Sequence, residues 1–171
     1  MALNFDSRIS AFEQLGLWLE QFLKEVENNR FTDDFNSEFQ AIIERQSREN
    51  GWFTQYNIYS SLAAIRDNLQ AESLNNLRFV YGNRIATSWQ EKIVAVVTGA
   101  FFPLVSFYDF MVVLLTGNVL QIKLHADDKL LLPKIAQKLM EIEPDFFFFF
   151  QFVVQLHDFE RVIISEENGH S

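Results

Sequence analysis

Residues 92–133, KIVAVVTGAFFPLVSFYDFMVVLLTGNVLQIKLHADDKLLLP, read as strand, turn, helix, strand. This segment constrains the fold most, because two parallel strands must be joined by a crossover of a dozen or more residues, usually a helix. The run at 93–97 is short, rich in β-branched residues and lacks alternation, as a parallel strand buried on both faces should be. Gly99 breaks it. Pro103 suits the first turn of the next helix, where its missing N–H costs nothing. Gly117 and Asn118 end that helix, and residues 119–124 return as a second strand. The first turn of such a crossover commonly receives a dinucleotide or another phosphate ligand.

Upstream the periodicity is helical. Ile9, Phe12, Leu15, Leu19, Phe22, Leu23 and Val26 share one face of an amphipathic helix. Thr32 or Asp33 caps a second helix running to about Arg48, and Asn50 with Gly51 interrupts it. Thr54 opens a third, with Ile58, Leu62, Ile65 and Leu69 in phase, and residues 72–81 add a shorter fourth. Residues 82–88 then read as a linker. No fixed-period repeat is present, which argues against a solenoid.

Downstream, Leu130, Ile135, Leu139 and Ile142 mark a second crossover helix that stops at Pro144, and residues 159–164 read as a third buried strand. The five consecutive phenylalanines at 146–150 fit neither a helix face nor an alternating strand. They read as a loop or short strand, and as an aggregation hazard if exposed. The expected fold is α/β, with a helical region at 1–88 packed on a partial parallel, Rossmann-like sheet at 89–171, the two forming one compact unit.

Composition excludes several function classes. The chain has no cysteine, so it holds no thiolate nucleophile, cysteine zinc site or disulfide framework. Its 171 residues suffice for a core without such staples. A net charge of −9 with no dense basic run disfavours nucleic acid. The apolar stretch 100–115 contains Asp109 and falls short of the roughly 20 residues a bilayer span needs. The first ten residues lack a signal-peptide pattern, so the expected location is cytoplasmic. His157, Asp158 and Glu160 have metal-ligand chemistry, but neighbouring residues on a strand point to opposite faces and do not converge. No metal site is expected.

Three segments together carry a family resemblance: Asn50-Gly51-Trp52-Phe53-Thr54, the run GAFFPLVSFYDF at 99–110, and Ile122-Lys123-Leu124 followed by DKLLLP at 128–133. In this order they resemble the fatty acyl-CoA reductases, which include the reductase of bacterial luminescence and belong to the aldehyde dehydrogenase superfamily. The resemblance implies an aldehyde dehydrogenase type of sheet. It also implies an NADPH-dependent reduction of a fatty acyl-CoA to an aldehyde through a cysteine thioester. Its cofactor-facing positions are Thr98, Gly99, Ala100 and Phe101 in the first turn, Lys123 and His125 after the second strand, and Ser165 after the third.

Carried across residue by residue, the pattern is incomplete. The family has Asn-Ile-Pro in the first turn, where the Asn holds an oxyanion; here the residues are Phe101-Phe102-Pro103. Phenylalanine offers no donor, and losing one such donor typically costs roughly 3 kcal/mol of transition-state stabilisation. Lys123 matches the lysine that meets the adenosine ribose or a 2′-phosphate, whereas His125 and Ala126 stand where the family has serines. The family's Thr-Gly-Ser-Asn becomes Ser165-Glu166-Glu167-Asn168, with two carboxylates near the pyrophosphate. The catalytic cysteine has no counterpart, so weak or absent NADPH binding and no activity of this chain alone are expected. The chain then reads as an N-terminal fragment or degenerate relative of such a reductase. The alternative is a non-enzymatic α/β module whose aromatic surface binds a fatty acyl chain or a protein partner.

Overall fold

A computed structural model describes residues 3–87, 90–99 and 101–165. Four helices come first: α1 (Phe5–Glu27), α2 (Asp34–Glu49), α3 (Gln55–Asn68) and α4 (Ala71–Thr87). They are followed by β1 (Ile93–Val97), α5 (Phe107–Leu115), β2 (Val119–Lys123), α6 (Leu131–Ile142), a 3-10 turn (Pro144–Phe148), β3 (Phe150–Phe152) and β4 (Arg161–Ile164). The strands form one all-parallel sheet in the order β3-β2-β1-β4, so the fold is α/β. Among the described residues no helix is long and apolar enough to cross a membrane.

Local chemistry sets the helix starts. Asp33 caps α2 by accepting the Asn36 N–H at 2.7 Å, and Thr54 caps α3 by accepting the Asn57 N–H at 3.1 Å. Thr32, the other candidate cap, sends its hydroxyl to Glu25 instead. Gly16 lets α1 cross α3 closely, since a Cβ there would lie 2.7 Å from that of Leu69. Phe12 of α1 anchors the core, with Phe107, Phe110 and Phe146 all meeting its ring edge-on.

The sheet has two unequal faces. Val94, Leu120 and Phe150 are paired across three strands, all are buried, and Phe110 of α5 packs on Phe150 at 5.3 Å between ring centres. On the opposite face, buried Gln121 exchanges two hydrogen bonds with the His157 backbone, so the segment joining β3 to β4 crosses there without a helix.

The structure corrects three local expectations. The fourth helix does not end at Tyr81 with a linker at 82–88; it continues through Gly82 to Thr87. Gly82 sits beside the Phe5 ring, and this contact with α1 carries the helix past the roughly 1 kcal/mol that a mid-helix glycine costs. Pro103 is not in the first turn of α5, which begins at Phe107 after a turn at 101–106 with Leu104 at φ 61°. The strand expected at 159–164 covers only Arg161–Ile164 and is not buried: among the described residues it lies at the sheet edge and pairs with β1 alone, and it leaves Val162 and Ile164 about half exposed.

The phenylalanine run, expected as a loop or short strand, is divided by geometry. Side chains three apart eclipse in a 3-10 turn. Phe146 and Phe149 therefore both turn inward, and Phe150 enters the core as the first residue of β3. Phe147 and Phe148 are left outside.

Candidate functional site

The carboxyl ends of β1, β2 and β4 finish in register, with Val97 level with Lys123 on one side and Ile164 on the other. Thr98 and Gly99 leave β1, Leu124 and His125 leave β2, and Ser165 leaves β4 at this one edge. In open parallel sheets this edge is where ligands bind.

Hydrogen bonds tie the three exits together. The Thr98 N–H donates to the Lys123 carbonyl at 3.1 Å, and the buried Thr98 Oγ1 accepts the His125 N–H at 2.9 Å. The Ser165 N–H donates to the Val97 carbonyl at 2.9 Å, while its hydroxyl donates to Asp109 Oδ2 at 2.5 Å. Gly99 is required by contact: a Cβ there would stand 2.6 Å from the Ser165 carbonyl oxygen.

The predicted site residues divide accordingly. Thr98, Gly99 and Ser165 form the inner wall of the edge, with the Thr98 and Ser165 hydroxyls engaged by the protein itself. Lys123 and His125 are exposed at the mouth, and His125 Nδ1 accepts the Asp127 N–H at 3.2 Å. Phe101 is 70% exposed and turns away from the core. Ala100 lies outside the described residues, as do Glu166, Glu167 and Asn168.

Sequence reasoning passed over Asp128. It is 2% exposed, accepts a hydrogen bond from the Leu104 backbone N–H, and has no hydrogen-bond partner for Oδ1 among the described residues. Burial pushes its carboxyl up to about 6, against the lowering influence of the Leu104 N–H and of His125. Asp128 thereby joins the loop after β2 to the loop after β1 at Leu104, which has a left-handed backbone. Its signal in the sequence was an acid standing next to the apolar LLLP run that opens α6. The same loop is held from the other side, where the Gln46 and Asn50 amides donate to the Asp127 carbonyl at 2.8 and 3.4 Å.

The edge is shallow. A cavity of about 100 Å³ lies between Asn50, Ala126, Asp127 and Lys129, whereas one of about 640 Å³ opens at the other end of the sheet around Leu3, Arg8, Arg78 and Leu115. The larger one is remote from Lys123 because Leu115 precedes the first residue of β2 and Lys123 is its last. Comparison with protein-family models, with curated proteins and with solved structures returns no match for this chain.

Proposed function

We propose that the carboxyl edge is a residual dinucleotide site, and that the chain is the nucleotide-side portion, or a degenerate relative, of an NADPH-dependent fatty acyl-CoA reductase with an aldehyde dehydrogenase type of sheet. The observation that carries this reading is the common ending of β1, β2 and β4, which puts Gly99 and Lys123 on one edge. Gly99 lets the exits of β1 and β4 close together, its Cβ side being filled by the Ser165 carbonyl, and Lys123 supplies an exposed cation for a ribose or phosphate. These features fit the adenosine and phosphate half of the cofactor.

They do not fit the reacting half. Phe101 and Phe102 are exposed where an oxyanion donor would be needed, and no cysteine exists to form a thioester. In this reading the chain binds NADPH with a dissociation constant in the millimolar range, about −4 kcal/mol, and reduces nothing alone.

An NMR titration with NADPH tests it through the backbone amides of Gly99 and Lys123. Saturable shifts at both positions, weakened severalfold by Lys123→Ala and strengthened by the paired change Glu166→Gly with Glu167→Ser, are the expected outcome. Shifts confined to other parts of the chain, or indifference to Lys123→Ala, would overturn it. A second reading, a non-enzymatic module for an acyl chain or protein partner, is favoured by the exposure of Phe147 and Phe148.

A further inference from the structure

Arg8 is 2% exposed, yet among the described residues no carboxylate forms an ion pair with it, and Glu91 acts on it only from a distance. Two of its three nitrogens are engaged by carbonyls, Nε by Leu3 at 2.8 Å and Nη1 by Leu114 at 2.7 Å. Nη2 has no hydrogen-bond partner among the described residues. It is not sealed in the core either, because the one fully buried side-chain nitrogen or oxygen without a partner there is Asp128 Oδ1. Nη2 therefore opens on the cavity of about 640 Å³ that Arg8 lines. A buried cation held only by neutral groups is costly, and buried charges ordinarily have a counter-charge.

The same cavity receives the start of α1. Asn4 accepts the Ser7 N–H on its side chain at 2.8 Å and the Arg8 N–H on its carbonyl at 3.1 Å, whereas the Phe5 and Asp6 N–H groups have no partner among the described residues. Phe5, Asp6 and Arg8 all line the cavity, so two free donors at the positive end of a 23-residue helix share it with a buried guanidinium. Charge then sets the valence of the occupant. The described lining holds two cations, Arg8 and Arg78, and one carboxylate, Asp6, which pairs with Arg78 at 2.9 Å; one positive charge is left over. A single carboxylate matches it, and a phosphate dianion exceeds it in a protein already at −9. Leu3, Phe5, Ile85 and Leu115 add apolar walls, and the volume falls in the roughly 300–1,000 Å³ range of small-molecule sites.

We propose that this cavity binds a compact monocarboxylate with an apolar body, of the arylacetate class, its carboxylate received by Arg8 Nη2 and the free N–H groups of α1. The site lies at the other end of the sheet from Lys123, so this inference and the dinucleotide reading fail separately.

NMR titration of the full chain at pH 7.5 with phenylacetate, its neutral counterpart phenylacetamide, and phenyl phosphate tests it. The expected result is saturable shifts at the Phe5 and Asp6 amides with phenylacetate, at a dissociation constant of about 0.1–1 mM. Phenylacetamide should bind at least ten-fold more weakly, and phenyl phosphate more weakly than phenylacetate. Arg8→Met should abolish the shifts; because Arg8 also supports the fold, Arg78→Met gives a second arm. The Arg78 side chain is 43% exposed, so this variant should fold, as circular dichroism verifies, and it should weaken phenylacetate about three- to ten-fold by leaving Asp6 without its cation. Equal affinity for phenylacetamide, tighter binding of phenyl phosphate, no saturable shift at Phe5 and Asp6 up to about 10 mM, or unchanged affinity in folded Arg78→Met would each overturn the proposal. So would self-association in sedimentation that perturbs the same amides and that phenylacetate does not reverse, which would give the cavity to a carboxylate of a second copy.

Discussion

The Arg8 guanidinium donates through Nη1 to the Leu114 carbonyl at 2.7 Å, joining the first turn of α1 to the last turn of α5. Nε donates to the Leu3 carbonyl at 2.8 Å, and the cation lies 4.1 Å from the centre of the Phe149 ring. A cation at a helix C-terminus meets the negative end of the macrodipole, and here it adds a shorter bond to a carbonyl that also accepts the Gly117 N–H at 3.2 Å. Burial lowers the guanidinium to about 10, with Glu91 opposing, so it stays charged at neutral pH. Arg8→Met is expected to cost about 2–4 kcal/mol in urea denaturation, because it removes a buried charge-assisted donor from the Leu3 carbonyl and leaves the Leu114 carbonyl with the longer Gly117 N–H bond at 3.2 Å. Arg8→Lys should recover only part of this, since an ammonium cannot reproduce the planar fork.

Asp128 should make stability depend on pH. Its carboxyl is raised from 3.8 to about 6 in the folded chain, so the fold binds a proton more tightly than the unfolded chain does. Its contribution is fully present below about pH 4 and is lost as pH rises through about 6. Asp128→Asn keeps an oxygen for the Leu104 N–H and removes the ionisation. Urea midpoints at pH 4, 6 and 8 should show the variant gaining on the parent as pH rises, by on the order of 2–3 kcal/mol.

Gly99→Ala should separate the ends of β1 and β4. The new Cβ would stand 2.6 Å from the Ser165 carbonyl oxygen, and backbone must move to relieve it. A loss of about 1–3 kcal/mol is expected, as for other overpacked sites. Gly51→Ala is the control: a Cβ there meets nothing within 4 Å, so thermal unfolding should change by no more than about 0.5 kcal/mol.

Glu25 should act in the opposite pH sense to Asp128. Burial alone would raise its carboxyl, but donors from Thr32, Asn36 and Gln21 outweigh burial and hold it at about 2. This stabilisation is present above the ordinary carboxylate value of 4.5 and is lost as pH falls toward 2. Glu25→Ala should cost about 1–3 kcal/mol at pH 7, because buried Asn36 loses a partner. The gap to the parent should narrow in denaturation at pH 2.5.

What the sequence determined by itself was local. β1 and β2 were legible because buried parallel strands read as short apolar runs, one ending at Gly99 and the other starting after Gly117, and the starts of α2 and α3 because Asp33 and Thr54 bond only three residues ahead. Lys123 and Gly99 could be placed on one edge because crossover connection alone brings two strand ends together. Tertiary structure decided the rest. Burial of Asp128 depends on Leu104, 24 positions away in the chain, which no local window contains. The exposure of β4 follows from its place beside β1 with no strand beyond it among the described residues. Five identical side chains carry no pattern, so only the 3-10 turn, and the pocket that Phe12 and Arg8 form beneath it, could send Phe146 and Phe149 inward and leave Phe147 and Phe148 to solvent.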